Sequence, residues 1–161
     1  MEQNKVVGLH KEKHAKTKIS SVRPFNHIAQ EHMLPVVVHE FVVAGAEFPV
    51  VFVKDPASER FQSVVLLGLA ARQNLLIKED KWDAMYVPRV VRNYPLLLVQ
   101  EDPNSDRLIV AIDEASERVN EAEGFPLFND DGSDETLGVV RAVADPDNIN
   151  AEFAIIIRSD L

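Results

Sequence analysis

Residues 49–69 read PVVFVKDPASERFQSVVLLGL. Two apolar runs, Val50 to Val53 and Val64 to Leu67, flank the polar stretch Lys54 to Arg60, which holds Asp55-Pro56. Short runs of β-branched and aromatic residues around a turn cluster predict a β-hairpin. Neither run alternates apolar with polar, so both faces of the hairpin are expected to be covered. This hairpin is therefore expected at the centre of the core.

On its N-terminal side, Pro35 to Glu47 (PVVVHEFVVAGAE) admits two readings. Val36 to Val38 favour a strand by propensity. Val38, Phe41, Val42 and Gly45 instead fall at i, i+3, i+4 and i+7, one face of a helix. Pro35 suits a first helical position, because its missing N–H would be unpaired there anyway. We read a helix, with His39, Glu40 and Glu47 off its apolar face. Phe48-Pro49 ends it, since the residue before a proline is pushed out of the α region. Earlier still, Phe25, Ile28 and Ala29 suggest a helical turn before Leu34-Pro35. Residues 1–23 form a basic arm rich in Lys and His, in which Val6, Val7, Leu9, Ile19 and Val22 suggest one or two short strands.

On the C-terminal side, Gly68 marks a turn or a bulge. Asn74 to Lys78 reads as a short strand with Glu79-Asp80-Lys81 as its turn. Trp82 to Pro95 (WDAMYVPRVVRNYP) places a helix from about Pro88 to the stop at Tyr94-Pro95. Leu96 to Val99 and Leu108 to Ile112 are strands around a turn that contains Asp102-Pro103. The order of signals repeats: Phe48-Pro49 matches Tyr94-Pro95, Asp55-Pro56 matches Asp102-Pro103, and Arg60-Phe61 matches Arg107-Leu108. Either this is convergence on common turn chemistry, or it is a duplicated helix–hairpin unit. In the second case the two hairpins should share one antiparallel sheet, with both helices on one face. Asp113 to Glu123 has a weak helical face at Ala115, Val119 and Ala122, and residues 124–135 read as a loop. Gly138 to Ala144 and Phe153 to Ile157 suggest a last hairpin. The predicted class is α+β: a mostly antiparallel sheet with two or three short helices.

A chain of 161 residues fits one domain with a single core. It has no cysteine, hence no disulfide framework, thiolate metal site or cysteine nucleophile. The net charge of −9 is uneven. Residues 101–161 carry four Lys/Arg against sixteen Asp/Glu, whereas residues 1–34 carry six against three. An acidic end of this kind repels nucleic acid and anionic membrane. No apolar run approaches the roughly 20 residues a membrane-spanning helix needs, which excludes a helical permease. The start, MEQNKVVGLHKEKHAK, has no apolar signal core, so a cytoplasmic location is expected.

Candidate sites are few. Trp82, Tyr86, Arg89, Arg92 and Tyr94 form the densest group of aromatic and cationic residues. Such residues anchor interfaces, which makes this the candidate binding patch for a protein partner. The competing reading has the rings capping the sheet and the arginines snorkelling outward from a short helix. His10 and His14 are spaced as zinc ligands on a helix can be, but they sit among lysines that oppose a cation, and a structural site needs four ligands. Asn129-Asp130-Asp131-Gly132 would need acids where Leu127 and Gly138 stand to make a calcium loop. No metal or cofactor is expected. Nucleophile elbows, phosphate loops and dinucleotide fingerprints are absent, so no catalytic residue is assigned.

Several stretches together resemble the bacterial SapC family. They are HAKTKI (His14 to Ile19), HEFVVAGAEFPVVFVKD (His39 to Asp55), VVLLGL (Val64 to Leu69), NLLI (Asn74 to Ile77), WDAMYVPRVVRNYP (Trp82 to Pro95) and PLFNDDG (Pro126 to Gly132). The resemblance implies one domain over residues 1–135 and a non-enzymatic binding or assembly role linked to a bacterial surface layer. It also implies an alternative: an accessory or substrate-recognition module for a modifying enzyme or an outer-membrane uptake system. It carries no catalytic residue over. Cell-surface association and a homo-oligomer fit the same implication. The family continues with a further helical portion, whereas residues 136–161 (TLGVVRAVADPDNINAEFAIIIRSDL) depart from it. They are expected to be a divergent tail, from a short variant or from truncation or a frame shift.

Overall fold

The computed structural model of the chain describes residues 5–22, 24–54, 56, 59–100 and 108–128. In chain order the elements are β1 (Val6–Gly8), β2 (Lys18–Ile19), β3 (Met33–Pro35), α1 (Phe41–Ala44), β4 (Val50–Lys54), β5 (Phe61–Leu66), β6 (Ile77–Lys78), β7 (Lys81–Trp82), α2 (Arg89–Asn93), β8 (Leu96–Gln100), β9 (Leu108–Asp113), β10 (Val119–Asn120) and β11 (Phe125–Pro126). Single 3₁₀ turns occupy Asn26–Ile28 and Val38–Glu40. Every strand pairing is antiparallel, and the helices are short, as the α+β expectation has it. The structure divides into two compact units. One is the continuous segment Pro24–Arg92; the other comprises the described parts of residues 1–23 and 93–161.

In the 24–92 unit, β4 and β5 form the predicted hairpin, with Val50 opposite Val65 and Lys54 opposite Phe61. β3 flanks the other side of β5, Leu34 facing Val65, so the order is β3-β5-β4. Central position explains why β5 is apolar on both sides: Val64 and Val65 are adjacent, point opposite ways, and are both buried. Covering both faces holds only there, because β4 is an edge and its Phe52 is exposed. Leu34, Val36, Ala44, Phe48, Val65 and Leu67 share one core cluster. Gly68 leads from β5 toward the turn at Ala71 and Arg72. A Cβ on it would lie 1.9 Å from the Gln73 carbonyl oxygen, so only glycine fits.

The expected helix over 35–47 is corrected in length and in orientation. Pro35 belongs to a strand, and the helical stretch runs only from Val38 to Ala44. Val38 and Val42, expected inside, are 72% and 86% exposed, whereas Glu40, expected outside, is 2% exposed. The physical reason is the set of donors around the Glu40 carboxylate, which outweighs the apolar spacing.

In the other unit β9 is central between β1 and β8. Ile112 of β9 pairs with Val7 and with Leu96, and packs with Ile19, Leu127 and Phe128 as the core. A second small sheet, β10-β2-β11, depends on Gly124. Its φ is +107°, and a Cβ would come 2.2 Å from the Ile19 carbonyl oxygen. The weak helix expected over 113–123 is absent. Short side chains bond local amides instead: Asp113 takes Ala115 N–H and Ser116 takes Arg118 N–H, which competes with helix.

The duplicated helix–hairpin unit is not found. The two hairpins lie in different sheets, because the far edge of each second strand is filled by a third strand, β3 for β5 and β1 for β9. Both helices also serve the first hairpin: Val91 of α2 is buried in the same cluster as Ala44 of α1. What repeats is the turn punctuation. The last expected hairpin and the Asn129–Gly132 stretch lie outside the described residues.

Candidate recognition site

Between β7 and α2 the chain runs through Asp83 to Pro88 without regular structure. Its backbone donors therefore need other acceptors. Two carboxylates from the α1 region supply them. Glu47 accepts from Met85 N–H at 2.9 Å through Oε2 and from Tyr86 N–H at 3.0 Å through Oε1. Glu40 Oε1 accepts from Arg89 N–H at 2.8 Å and from the Tyr86 hydroxyl at 2.7 Å. Its Oε2 takes Val37 N–H at 3.1 Å, a carboxylate reaching back over the first helical turn. The Asp83 amide donates to the Leu76 carbonyl at 2.7 Å, and Trp82 Nε1 donates to the Tyr86 carbonyl at 2.9 Å.

The aromatic side chains fix the same loop by packing. The Trp82 ring lies 5.8 Å from Phe25 and 6.1 Å edge-on from Phe48. The Arg92 guanidinium stands 5.6 Å above the Tyr86 ring, a cation–π distance. Burial, then the hydrogen bond and charge of Glu40, push the Tyr86 hydroxyl up to about 12 from 10.0. Trp82 and Arg92 are thus brought to Tyr86, and Tyr86 and Arg89 to Glu40. All four are half-buried, while Met85 in their midst is 92% exposed.

Tyr94 belongs to the other unit. Its hydroxyl donates to Asp113 Oδ2 at 2.9 Å, and its carbonyl accepts from Arg118 Nη1. Burial chiefly raises its pKa, with Asp113 adding to the rise. Asp113 is itself buried and also accepts Lys5 N–H at 3.0 Å. Arg118 is buried and donates from Nε and Nη2 to the Ser20 carbonyl. His14 is buried as well, and its Nε2 lies 3.2 Å from Glu114. Lys13 and Lys5 bond the same carboxylate and hold Glu114 down to about 2. His10 meets His14 through its backbone N–H, 2.9 Å from Nδ1, and not through its ring. Among the described residues no three His, Cys, Asp or Glu side chains converge as metal ligands would, and no helix is long and apolar enough to cross a membrane.

Sequence reasoning missed Glu40, Glu47 and Met85. A carboxylate three residues after Val37 was a readable signal for the first of these. The reach from Glu40 to Tyr86 spans 46 residues and has no sequence signature. Chemically, Glu40 is enclosed by three donors, and Glu47, which is exposed, is bonded by two neighbouring amides. Both carboxylates hold a loop.

A family model described as SapC matches residues 9–143. No solved structure matches the chain.

Proposed function

The chain belongs to the SapC family, and on that footing we propose that it is a non-enzymatic binding or assembly protein that presents a rigid loop to a protein partner. The carrying observation is Met85: 92% exposed, on a backbone whose amides at 85 and 86 are clamped by one carboxylate. An exposed methionine normally loses much rotamer and backbone freedom on binding. Here the backbone part is already fixed. Methionine is also enriched at interfaces and adapts its shape to a partner. Trp82, Tyr86, Arg89 and Arg92 act in this reading as the frame behind the contact. The setting we assign is the bacterial surface layer to which the family's name is tied, reached from the cytoplasm.

A photo-crosslinking side chain at position 85, in the producing cell, tests this. A discrete crosslinked protein is expected, and E47A should reduce its yield by about tenfold through loss of preorganisation. Leu69 is 88% exposed on a different turn and is the control position. Equal crosslinking from 69 and 85 would sink the proposal.

A further inference from the structure

The sequence holds three methionines and no cysteine. Reversible oxidation of sulfur in this chain is therefore confined to thioethers, which pass to the sulfoxide and back. The two methionines among the described residues stand in different settings. Met33 lies in β3, half-buried and opposite Leu66 in the ladder. Met85 is 92% exposed, so its sulfur meets an oxidant dissolved in water, and its side chain carries little of the packing. Oxidation replaces a flexible apolar tip with a polar one. The sulfoxide oxygen accepts hydrogen bonds, but the amides beside it are taken. Those of Met85 and Tyr86 both donate to Glu47, at 2.9 and 3.0 Å. The new oxygen is left to water, and pressing it against an apolar partner surface would bury it unpaired.

We infer, resting on the loop reading proposed above, that Met85 is a reversible oxidation switch: a peroxide converts it to the sulfoxide, the fold is kept, and the protein partner is released. In the forward step a sulfur lone pair attacks one oxygen of hydrogen peroxide. The O–O bond breaks, an S–O bond forms, and the other oxygen leaves as water. Sulfur is oxidised and the peroxide is reduced. In the return step a methionine sulfoxide reductase removes the oxygen as water, and two thiols of the reductase become a disulfide. The chain supplies no thiol of its own to this step.

Three readouts on the full chain treated with hydrogen peroxide test the switch. Peptide mass spectrometry should show one oxygen gained at Met85 several-fold faster than at Met33. Circular dichroism and the urea midpoint should stay unchanged while Met85 alone is oxidised. The third readout is competition against the photo-crosslink from position 85 in lysate of the producing cell, with the chain itself as competitor. Oxidised chain should be needed at about ten- to hundredfold higher concentration than untreated chain, the range for a polar group buried without a partner. Treatment with the reductase should restore it. M85L, whatever its own strength as a competitor, should compete the same before and after peroxide. Equal oxidation rates at Met85 and Met33, or a fall in the urea midpoint, overturn the switch. So does oxidised chain that competes as well as untreated chain, a result that leaves the loop reading standing. Untreated chain that does not compete at all removes the loop reading and the switch with it.

Discussion

Tyr86 and Glu40 share a short polar contact in the candidate site, a hydroxyl donating to a carboxylate at 2.7 Å. Hydrogen bonds to charged groups contribute about 1.5–3 kcal/mol each. Y86F deletes this one and leaves Glu40, 2% exposed, with its two amide donors. The variant should be less stable by about that amount near neutral pH, read from urea midpoints. The pH dependence has a definite sign. Tyr86 ionises at about 12 in the folded chain against 10.0 ordinarily. A raised pKa means the folded state keeps its proton longer, so the contribution is whole below 10.0 and is lost as the pH climbs toward about 12. The stability gap between wild type and Y86F should therefore close over that window. A gap that stays constant would mean that Tyr86 acts through packing alone.

At the scale of elements, the two-residue turn between β6 and β7 stands out. Glu79 and Asp80 both have positive φ, 49° and 60°, the geometry that favours Asn-Gly in such hairpins. A side chain in the left-handed region costs roughly 1–2 kcal/mol. The double change Glu79→Asn and Asp80→Gly should raise stability by about 1 kcal/mol, seen as a higher melting temperature. Local pattern explains which elements could be read from the sequence. β4 and β5 were legible because their two apolar runs and the turn between them lie within 21 residues of chain. The stop at Tyr94-Pro95 and the strands after it were legible for the same reason. The α1 region was legible as helical but not in its orientation. Apolar spacing put Val38 and Val42 inside, and donors on Tyr86 and Arg89 pulled Glu40 inward instead. Of the five candidate patch residues, the structure brings Trp82, Tyr86, Arg89 and Arg92 together and places Tyr94 in the other unit. Glu40 had a local signal three residues after Val37, but its reach to Tyr86 had none, nor had the clamp of Glu47 on Met85, because those partners are distant in sequence.

For the molecule as a whole, charge sets how copies meet. The chain carries −9, and all but one of the excess negative charges lie outside residues 24–92. Two copies therefore repel at long range. Salt acts on this repulsion through a screening length of about 8 Å at physiological ionic strength. Any association between copies through apolar surface should therefore strengthen as salt rises from low to physiological levels. A sedimentation series at fixed protein concentration measures it. Association that instead falls with salt would mean that opposite charges, and not apolar burial, hold the copies together.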